Sequence, residues 1–155
     1  MNIKTISKES FCVIGKEGST KEGATFIANL GEDANAHFQE VSHLAIKKET
    51  GGILGIWGAM TDFSRGFRPW ENGFREGLYL AGVECTMDAE APQGWVKWII
   101  PGFTYLCIQS HSDNAFGEML AYLKEQNLPL VGAVQEYTDP DSGETELWFP
   151  IRRDT

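Results

Sequence analysis

The sequence is poor in the features that mark several common protein classes. It has three cysteines, Cys12, Cys85 and Cys107, with no CxxC pair, and 13 Lys and Arg against 22 Asp and Glu. Scattered cysteines in odd number predict buried thiols of a reducing, cytoplasmic compartment rather than a disulfide framework. A net charge of −9 disfavours direct binding to nucleic acid or to an anionic membrane.

Catalytic and metal-binding motifs are also missing. The sequence contains no GxSxG, GxGxxG, P-loop or HExxH pattern. Its three histidines are His37, His43 and His111, and the first two are six residues apart, which does not place them on one helical face as an i, i+4 pair would. We therefore expect no metal ion and no cofactor. The start of the chain carries no apolar run long enough for a signal peptide or a membrane span.

What the sequence does have is enough apolar residues for one folded domain. Its 155 residues are 42% hydrophobic, which is typical of a single globular domain spanning residues 1–155. Apolar residues recur at helical spacing from about 21 to 48 and again from about 112 to 126. Strand-like runs flank both segments. They are 11–15, 53–60, 77–85, 95–100, 103–108 and the two arms of a closing hairpin, 130–138 and 144–151, joined by a turn at 139–143.

The order of these elements repeats. We predict an α+β fold of tandem, pseudo-twofold βαββ repeats with antiparallel sheets, the first over about 10–86 and the second over about 95–152. Residues 54–62 align weakly with residues 131–139, and this alignment places Tyr79 opposite Trp148. A cleft at the seam between two such repeats is a favoured ligand site.

Aromatic residues are concentrated near two glutamates on strands. Glu136 lies in the first arm of the closing hairpin and Glu84 ends the strand 77–85. A strand carboxylate beside an indole such as Trp148 can bind an organic cation by charge and by cation–π attraction. The same carboxylates could instead serve as a general acid and base, face solvent, or pair with Arg65 and the other arginines of the loop 61–76.

The loop 61–76 is unusual for its aromatic content. Phe63, Phe67, Trp70 and Phe74 all fall within it. Because loops run over the surface, such a segment either covers a cleft as a lid or exposes an apolar patch. We favour the lid.

Four short segments resemble the GyrI-like superfamily, which comprises the effector-binding domains of AraC- and MerR-type multidrug regulators and the bacterial DNA gyrase inhibitory protein. They are Gly77-Leu-Tyr-Leu-Ala-Gly-Val-Glu84, Ile100-Pro-Gly-Phe-Thr-Tyr105, Glu136-Tyr137 and Glu146-Leu-Trp-Phe-Pro-Ile151. The resemblance covers about residues 11–152. It implies a cleft between the repeats that binds lipophilic, often cationic, small molecules over a strand glutamate, which matches Glu136 here.

The resemblance also supplies the remaining candidate residues and functions. Glu84 matches a second acid of the family, and the cleft walls would come from Trp57, Tyr79, Trp98, Tyr105, Trp148, Phe63 and Trp70. The favoured function is a stand-alone binding module for amphipathic cations, used for drug sensing or sequestration, with a transcription regulator as a partner in trans. No helix-turn-helix segment precedes the domain, so DNA binding by this chain is not expected.

Two alternatives stay open at this point. The first is a hydrolase of strained electrophilic rings, in which Glu136 and Glu84 would be catalytic and Trp57 and Trp148 would hold the substrate. The second is a protein-interaction role like that of the gyrase inhibitory protein. Exposed strand edges would also allow a homodimer.

Overall fold

The computed structural model describes residues 2–154, which form one antiparallel sheet carrying helices. The strands are β1 (Lys4–Lys8), β2 (Phe11–Ser19), β3 (Ile56–Thr61), β4 (Leu78–Cys85), β5 (Val96–Ile100), β6 (Phe103–Gln109), β7 (Gln135–Thr138) and β8 (Thr145–Arg153). The helices are α1 (Phe26–Ala36), the single turn α2 (Glu71–Phe74) and α3 (Ala115–Glu125), with turns of 3-10 helix at Thr20–Glu22 and Phe38–Glu40.

The sheet order displays the predicted repeat. Its eight strands run β1-β6-β8-β7-β3-β4-β2-β5, and every neighbouring pair is antiparallel. The first βαββ unit supplies β2-β4-β3 and the second supplies β6-β8-β7. The units meet where β3 pairs with β7, with Trp57 opposite Tyr137 and Gly58 opposite Glu136. The predicted α+β class and duplicated order are confirmed.

The two end strands are exchanged between the repeats. β1 precedes the first repeat in sequence but pairs with β6 of the second. β5 begins the predicted second repeat but pairs with β2 of the first. Each repeat is therefore completed at its outer edge by a strand from the other side of the molecule, an arrangement that the predicted βαββ order alone did not contain.

Alternation along the strands separates two faces of the sheet. The inner face, as we name it, is a single cluster to which strands from both ends of the sheet contribute, so the sheet curls around it. Its buried members are Phe11, Val13, Trp57, Ala59, Leu78, Leu80, Trp98, Ile100, Phe103, Tyr105, Cys107 and Trp148. The outer face carries the helices, with α1 over the first repeat and α3 over the second.

The helix predicted over 21–48 is much shorter in the structure. α1 ends at Ala36, and a turn of 3-10 helix and irregular turns follow up to β3. The apolar periodicity continued past the helix because Val41 and Ala45 are buried beneath those turns against Cys12 and Val83 of the outer face. Those apolar positions are therefore set by packing on the sheet and not by helical geometry.

All three cysteines are buried and unpaired, as predicted. Burial raises the pKa of Cys85 to about 11 and that of Cys107 to about 12, and it also raises the pKa of Cys12. Such thiols stay protonated and are poor nucleophiles at neutral pH.

Neither a membrane-spanning helix nor a metal-binding cluster is found among residues 2–154. Along residues 2–154, no helix combines the length and the apolar character needed to span a bilayer. Over the same residues, no three His, Cys, Asp or Glu side chains come together in a way that could hold a metal ion.

Candidate functional site

A cavity of about 490 Å³ opens on the outer face where the two repeats meet. Its floor is formed by β3, β4 and β7, and α1 with the turns that follow it forms one wall. The lining residues are Gly31, Ala34, Asn35, Phe38, Val41, Ile53, Ile56, Trp57, Gly58, Tyr79, Ala81, Gly82, Val83, Trp95, Glu136, Thr138 and Thr145. Among these described lining residues, Glu136 is the only Asp, Glu, Lys, Arg or His, and Tyr79 contributes the only phenol.

Glu136 and Tyr79 form a hydrogen-bonded pair on the cavity floor. The Tyr79 hydroxyl donates to Oε1 of Glu136 at 2.8 Å. Burial of Tyr79, with the neighbouring Glu136 carboxylate, raises the pKa of the phenol well above its ordinary value. Tyr79 therefore stays protonated across the physiological range and acts as the hydrogen-bond donor to Glu136.

Gly58 makes this pair possible. It lies opposite Glu136 in the β3–β7 ladder, and its missing side chain leaves the space in which the pair meets. A Cβ at Gly58 would lie 2.1 Å from the Tyr79 hydroxyl oxygen and 2.7 Å from Oε1 of Glu136. Any larger residue would push the two groups apart.

No cation neutralises Glu136 within the described chain. Every described salt bridge involves other carboxylates, and no Lys, Arg or His nitrogen of residues 2–154 lies within 4.0 Å of Glu136. Glu136 is half-buried, and the cavity around it is mostly apolar. A carboxylate in such surroundings favours a cation as its partner.

Glu84 lies on the inner face and has partners of its own. It is 5% exposed, and it accepts hydrogen bonds from the Trp57 indole at 3.2 Å and from Nζ of Lys8 at 3.0 Å. Nζ of Lys8 also lies over the ring of Phe11, at 4.6 Å from its centroid. The structure therefore does not bring Glu84 and Glu136 together, because the sheet separates them.

The predicted wall residues divide between the two faces in the same way. Tyr79 lines the cavity, and Trp57 contributes to its floor although the indole itself packs in the inner-face cluster. Trp98, Tyr105 and Trp148 are buried in that cluster, with Trp148 in edge contact with Trp57 at 5.1 Å. The resemblance implies these three residues as cleft walls, but alternation along their strands turns their side chains to the face opposite Glu136.

The aromatic loop 61–77 wraps around one end of the sheet. Phe63 and Phe67 pack against the inner face, while Trp70 and Phe74 lie on the outer face. The loop is held internally by Asp62, whose carboxylate accepts hydrogen bonds from the backbone of Gly66 and Arg68. The loop therefore packs against both faces of the sheet, and none of its residues is among those that line the cavity, where we had expected a lid.

The arginines of this loop do not neutralise either candidate glutamate. Arg65 forms a two-pronged contact with Glu17 of β2, at 2.5 and 2.9 Å, and Trp98 donates to the same carboxylate at 2.8 Å. The hypothesis that Arg65 pairs with Glu84 or Glu136 is therefore wrong.

Two contributors to the cavity were missed from the sequence. Trp95 donates its indole N–H to Glu40 at 2.8 Å, and Lys16 lies over its ring at 4.4 Å from the centroid. Phe38 belongs to the turn that follows α1. Both had been assigned to ordinary secondary structure, and only the early end of α1 brings Phe38 over the cavity.

Solved structures with the same architecture exist at low sequence identity. A Staphylococcus aureus MU50 protein assigned to transcription regulation matches with a TM-score of 0.64 and 16% identity over 98% of this chain and 99% of that one. The protein SAV2435, solved with bound tetraphenylphosphonium, matches with a TM-score of 0.65 and 16% identity over 98% and 94% of the two chains. The EcmrR C-terminal domain matches with a TM-score of 0.62 and 14% identity over 99% and 98%.

The chain has the same fold as these three solved structures. The resemblance drawn from the four sequence segments is thereby confirmed at the level of the fold. EcmrR has also been solved in a complex with DNA. The present chain matches 58% of that longer EcmrR chain, with a TM-score of 0.66 and 12% identity. No protein-family model and no curated protein sequence matches the chain.

Proposed function

We propose that this protein binds lipophilic organic cations in the outer-face cavity, with Glu136 as the charge contact. The observation that carries the proposal is the unneutralised carboxylate of Glu136 on the floor of a mostly apolar cavity. A bound cation would supply the missing counter-charge, and Phe38, Trp95 and Tyr79 would supply apolar contact and cation–π attraction.

The bound tetraphenylphosphonium of SAV2435 supports this choice of ligand class, since it is a lipophilic cation held by a protein of the same fold. The EcmrR C-terminal domain is a further protein of this fold, and EcmrR itself has been solved on DNA. We propose that the present chain works as a drug-sensing or sequestering module, with any effect on transcription exerted through a separate regulator.

The two-carboxylate hydrolase hypothesis does not have an assembled site. It requires Glu84 and Glu136 to act on one substrate, whereas they lie on opposite faces of the sheet and Glu84 is bound to Lys8 and Trp57. No contact among the described residues favours that reaction over binding.

The test is a binding titration with tetraphenylphosphonium and with the neutral triphenylphosphine oxide. Binding is monitored by calorimetry and by tryptophan fluorescence. We expect the cation to bind more tightly, and Glu136→Gln to weaken it by about tenfold while leaving the neutral compound unchanged. The matched control is Glu125→Gln, which removes the same charge from an exposed position at the end of α3.

Equal weakening by Glu125→Gln and Glu136→Gln would mean that only the net charge matters. Equal affinity for the cation and the neutral compound would mean that Glu136 does not act as the charge contact for the ligand. Either result would overturn the proposal.

A further inference from the structure

A second, smaller cavity of about 230 Å³ lies on the outer face, lined by Met60, Trp70, Phe74, Phe116 and Val134. The lining is almost wholly apolar and contains three aromatic rings, with Phe74 and Phe116 in edge-to-face contact at 5.2 Å. One wall belongs to the loop that wraps the end of the sheet and the other to α3. It is therefore built from different elements than the main cavity, whose wall is α1.

The strand register places this second cavity directly beyond the Glu136–Tyr79 pair. Met60 follows Gly58 by two residues on β3. Val134 lies just before β7, two residues before Glu136, and packs in the outer-face cluster with α3. Residues two apart on a strand share a face. The floors of the two cavities therefore follow one another along the seam between the repeats.

Tyr79 stands between the two cavities. It lies opposite Met60 in the β3–β4 ladder, yet its hydroxyl reaches across Gly58 to Glu136. Phe26 of α1 lies against its ring at 6.3 Å, and Trp70 of the second cavity lies at 6.5 Å from Phe26. Tyr79 is 6% exposed and its hydroxyl is bonded to Glu136, so a ligand that spans both cavities has to replace this hydrogen bond and displace the ring.

We propose that the preferred ligand is a cation with an aromatic arm, in which the charge binds over Glu136 and the arm enters the second cavity beyond Tyr79. This inference rests on the proposed function and deepens it. Two residues of a strand advance by about 7 Å, so the arm needs a spacer of about three methylene groups between the charge and the ring. A compact cation without an arm would fill the main cavity alone.

The test compares propyltrimethylammonium with 3-phenylpropyltrimethylammonium, which share their charge and spacer and differ by one phenyl ring. We expect the phenyl compound to bind at least about tenfold more tightly to the wild-type protein, as burial of a ring predicts. Phe74→Ala should reduce this preference to about threefold or less and leave the affinity for propyltrimethylammonium within about twofold. Phe74→Leu should restore part of the preference.

Phe74 is suited to this role because it is half-buried on a loop, so its truncation spares the sheet. Phe116→Leu tests the opposite wall of the second cavity and should also reduce the phenyl preference. A phenyl preference that survives both Phe74→Ala and Phe116→Leu would overturn the inference, and so would an equal loss for the two compounds.

Glu136→Gln separates this inference from the proposed function. If both compounds bind to Glu136→Gln as tightly as to the wild type, the charge contact is wrong. The phenyl preference and its dependence on Phe74 are still measured in that case. If Glu136→Gln weakens both compounds while Phe74→Ala changes neither, the cation site stands and the aromatic arm does not.

Discussion

Glu84 and Glu136 occupy opposite faces of one sheet, and they differ in what surrounds the carboxylate. On the inner face, Glu84 is almost fully buried and is bound by Trp57 and Lys8. On the outer face, Glu136 is half-buried, has the neutral Tyr79 hydroxyl as its partner, and faces a cavity. A strand glutamate in an aromatic setting can therefore stabilise the fold or remain available to a ligand, depending on whether the chain supplies the cation.

The same contrast extends to the aromatic residues of the two faces. On the inner face, the rings of neighbouring aromatic residues are in contact, with centroids 4.9 to 5.6 Å apart. These residues are Phe11, Trp57, Tyr137 and Trp148. On the outer face, the cavity separates Phe38 from the floor on which Glu136 lies. The inner face is thus a packed core, and the outer face keeps room for another molecule.

The largest expected effect compares truncation on the two faces. Trp57→Ala should lower the free energy of unfolding by about 4 kcal/mol, because it opens a void in a packed aromatic cluster. Phe38→Ala should cost about 1.5 kcal/mol, because Phe38 is half-buried and already borders a cavity. Urea unfolding followed by circular dichroism measures both. Equal losses would mean that the two faces are packed alike.

The second comparison neutralises the two glutamates. Glu84→Gln should destabilise the protein by about 2 kcal/mol, since it leaves the largely buried ammonium of Lys8 without its counter-charge. That value lies below the cost of breaking a fully buried ion pair because the Lys8 side chain is 22% exposed. Glu136→Gln leaves no cation behind, so its stability should stay within about 0.5 kcal/mol of the wild type. Chemical denaturation of both variants checks this, and a reversed order would contradict the contrast.

The smallest expected effect concerns pH and a third carboxylate on the inner face. The hydrogen bonds from Arg65 hold the pKa of Glu17 below its ordinary 4.5; burial opposes them and the Trp98 indole assists. Because the folded pKa is the lower one, this stabilisation is present above about pH 4.5 and is lost as the pH falls through the folded value.

In Glu17→Gln, the free energy of unfolding should therefore fall less steeply as the pH is lowered than in the wild type. The difference should be less than about 1 kcal/mol, since Arg65 is mostly exposed to solvent. Unfolding midpoints measured at a series of pH values between about 3 and 6 would show this. Arg65→Gln should flatten the same curve nearly as much, and a variant curve parallel to the wild type would exclude the contact as the cause.

Much of the fold could be predicted from the sequence, because strands and turns have local signals. The strand 78–85 was expected at 77–85, and α3 was expected within two or three residues of its observed ends. β1 was missed because its residues are mostly exposed and lack an apolar stripe. Its position depends on β6, a partner about a hundred residues away, and no local pattern reports such a partner.

The candidate site was predictable only in part, because the facing of a strand changes with every residue. Glu136 follows from the hairpin pattern and from the resemblance, and Tyr79 from the resemblance. The alignment of the two halves set Trp57 over Val134 and Tyr79 over Trp148, yet the members of each pair lie on opposite faces. That alignment is therefore out of register by an odd number of residues.

The exchanged end strands have a consequence for how the chain is made. β1 is synthesised well before its partner β6, because about a hundred residues separate the two strands, a delay of several seconds at ordinary translation rates. During that interval β1 is an unpaired strand that could join another nascent chain. Its sequence Lys-Thr-Ile-Ser-Lys has a lysine at each end, and such charges discourage wrong edge-to-edge pairing. The polar character that hid β1 from prediction thus protects the nascent protein from aggregation.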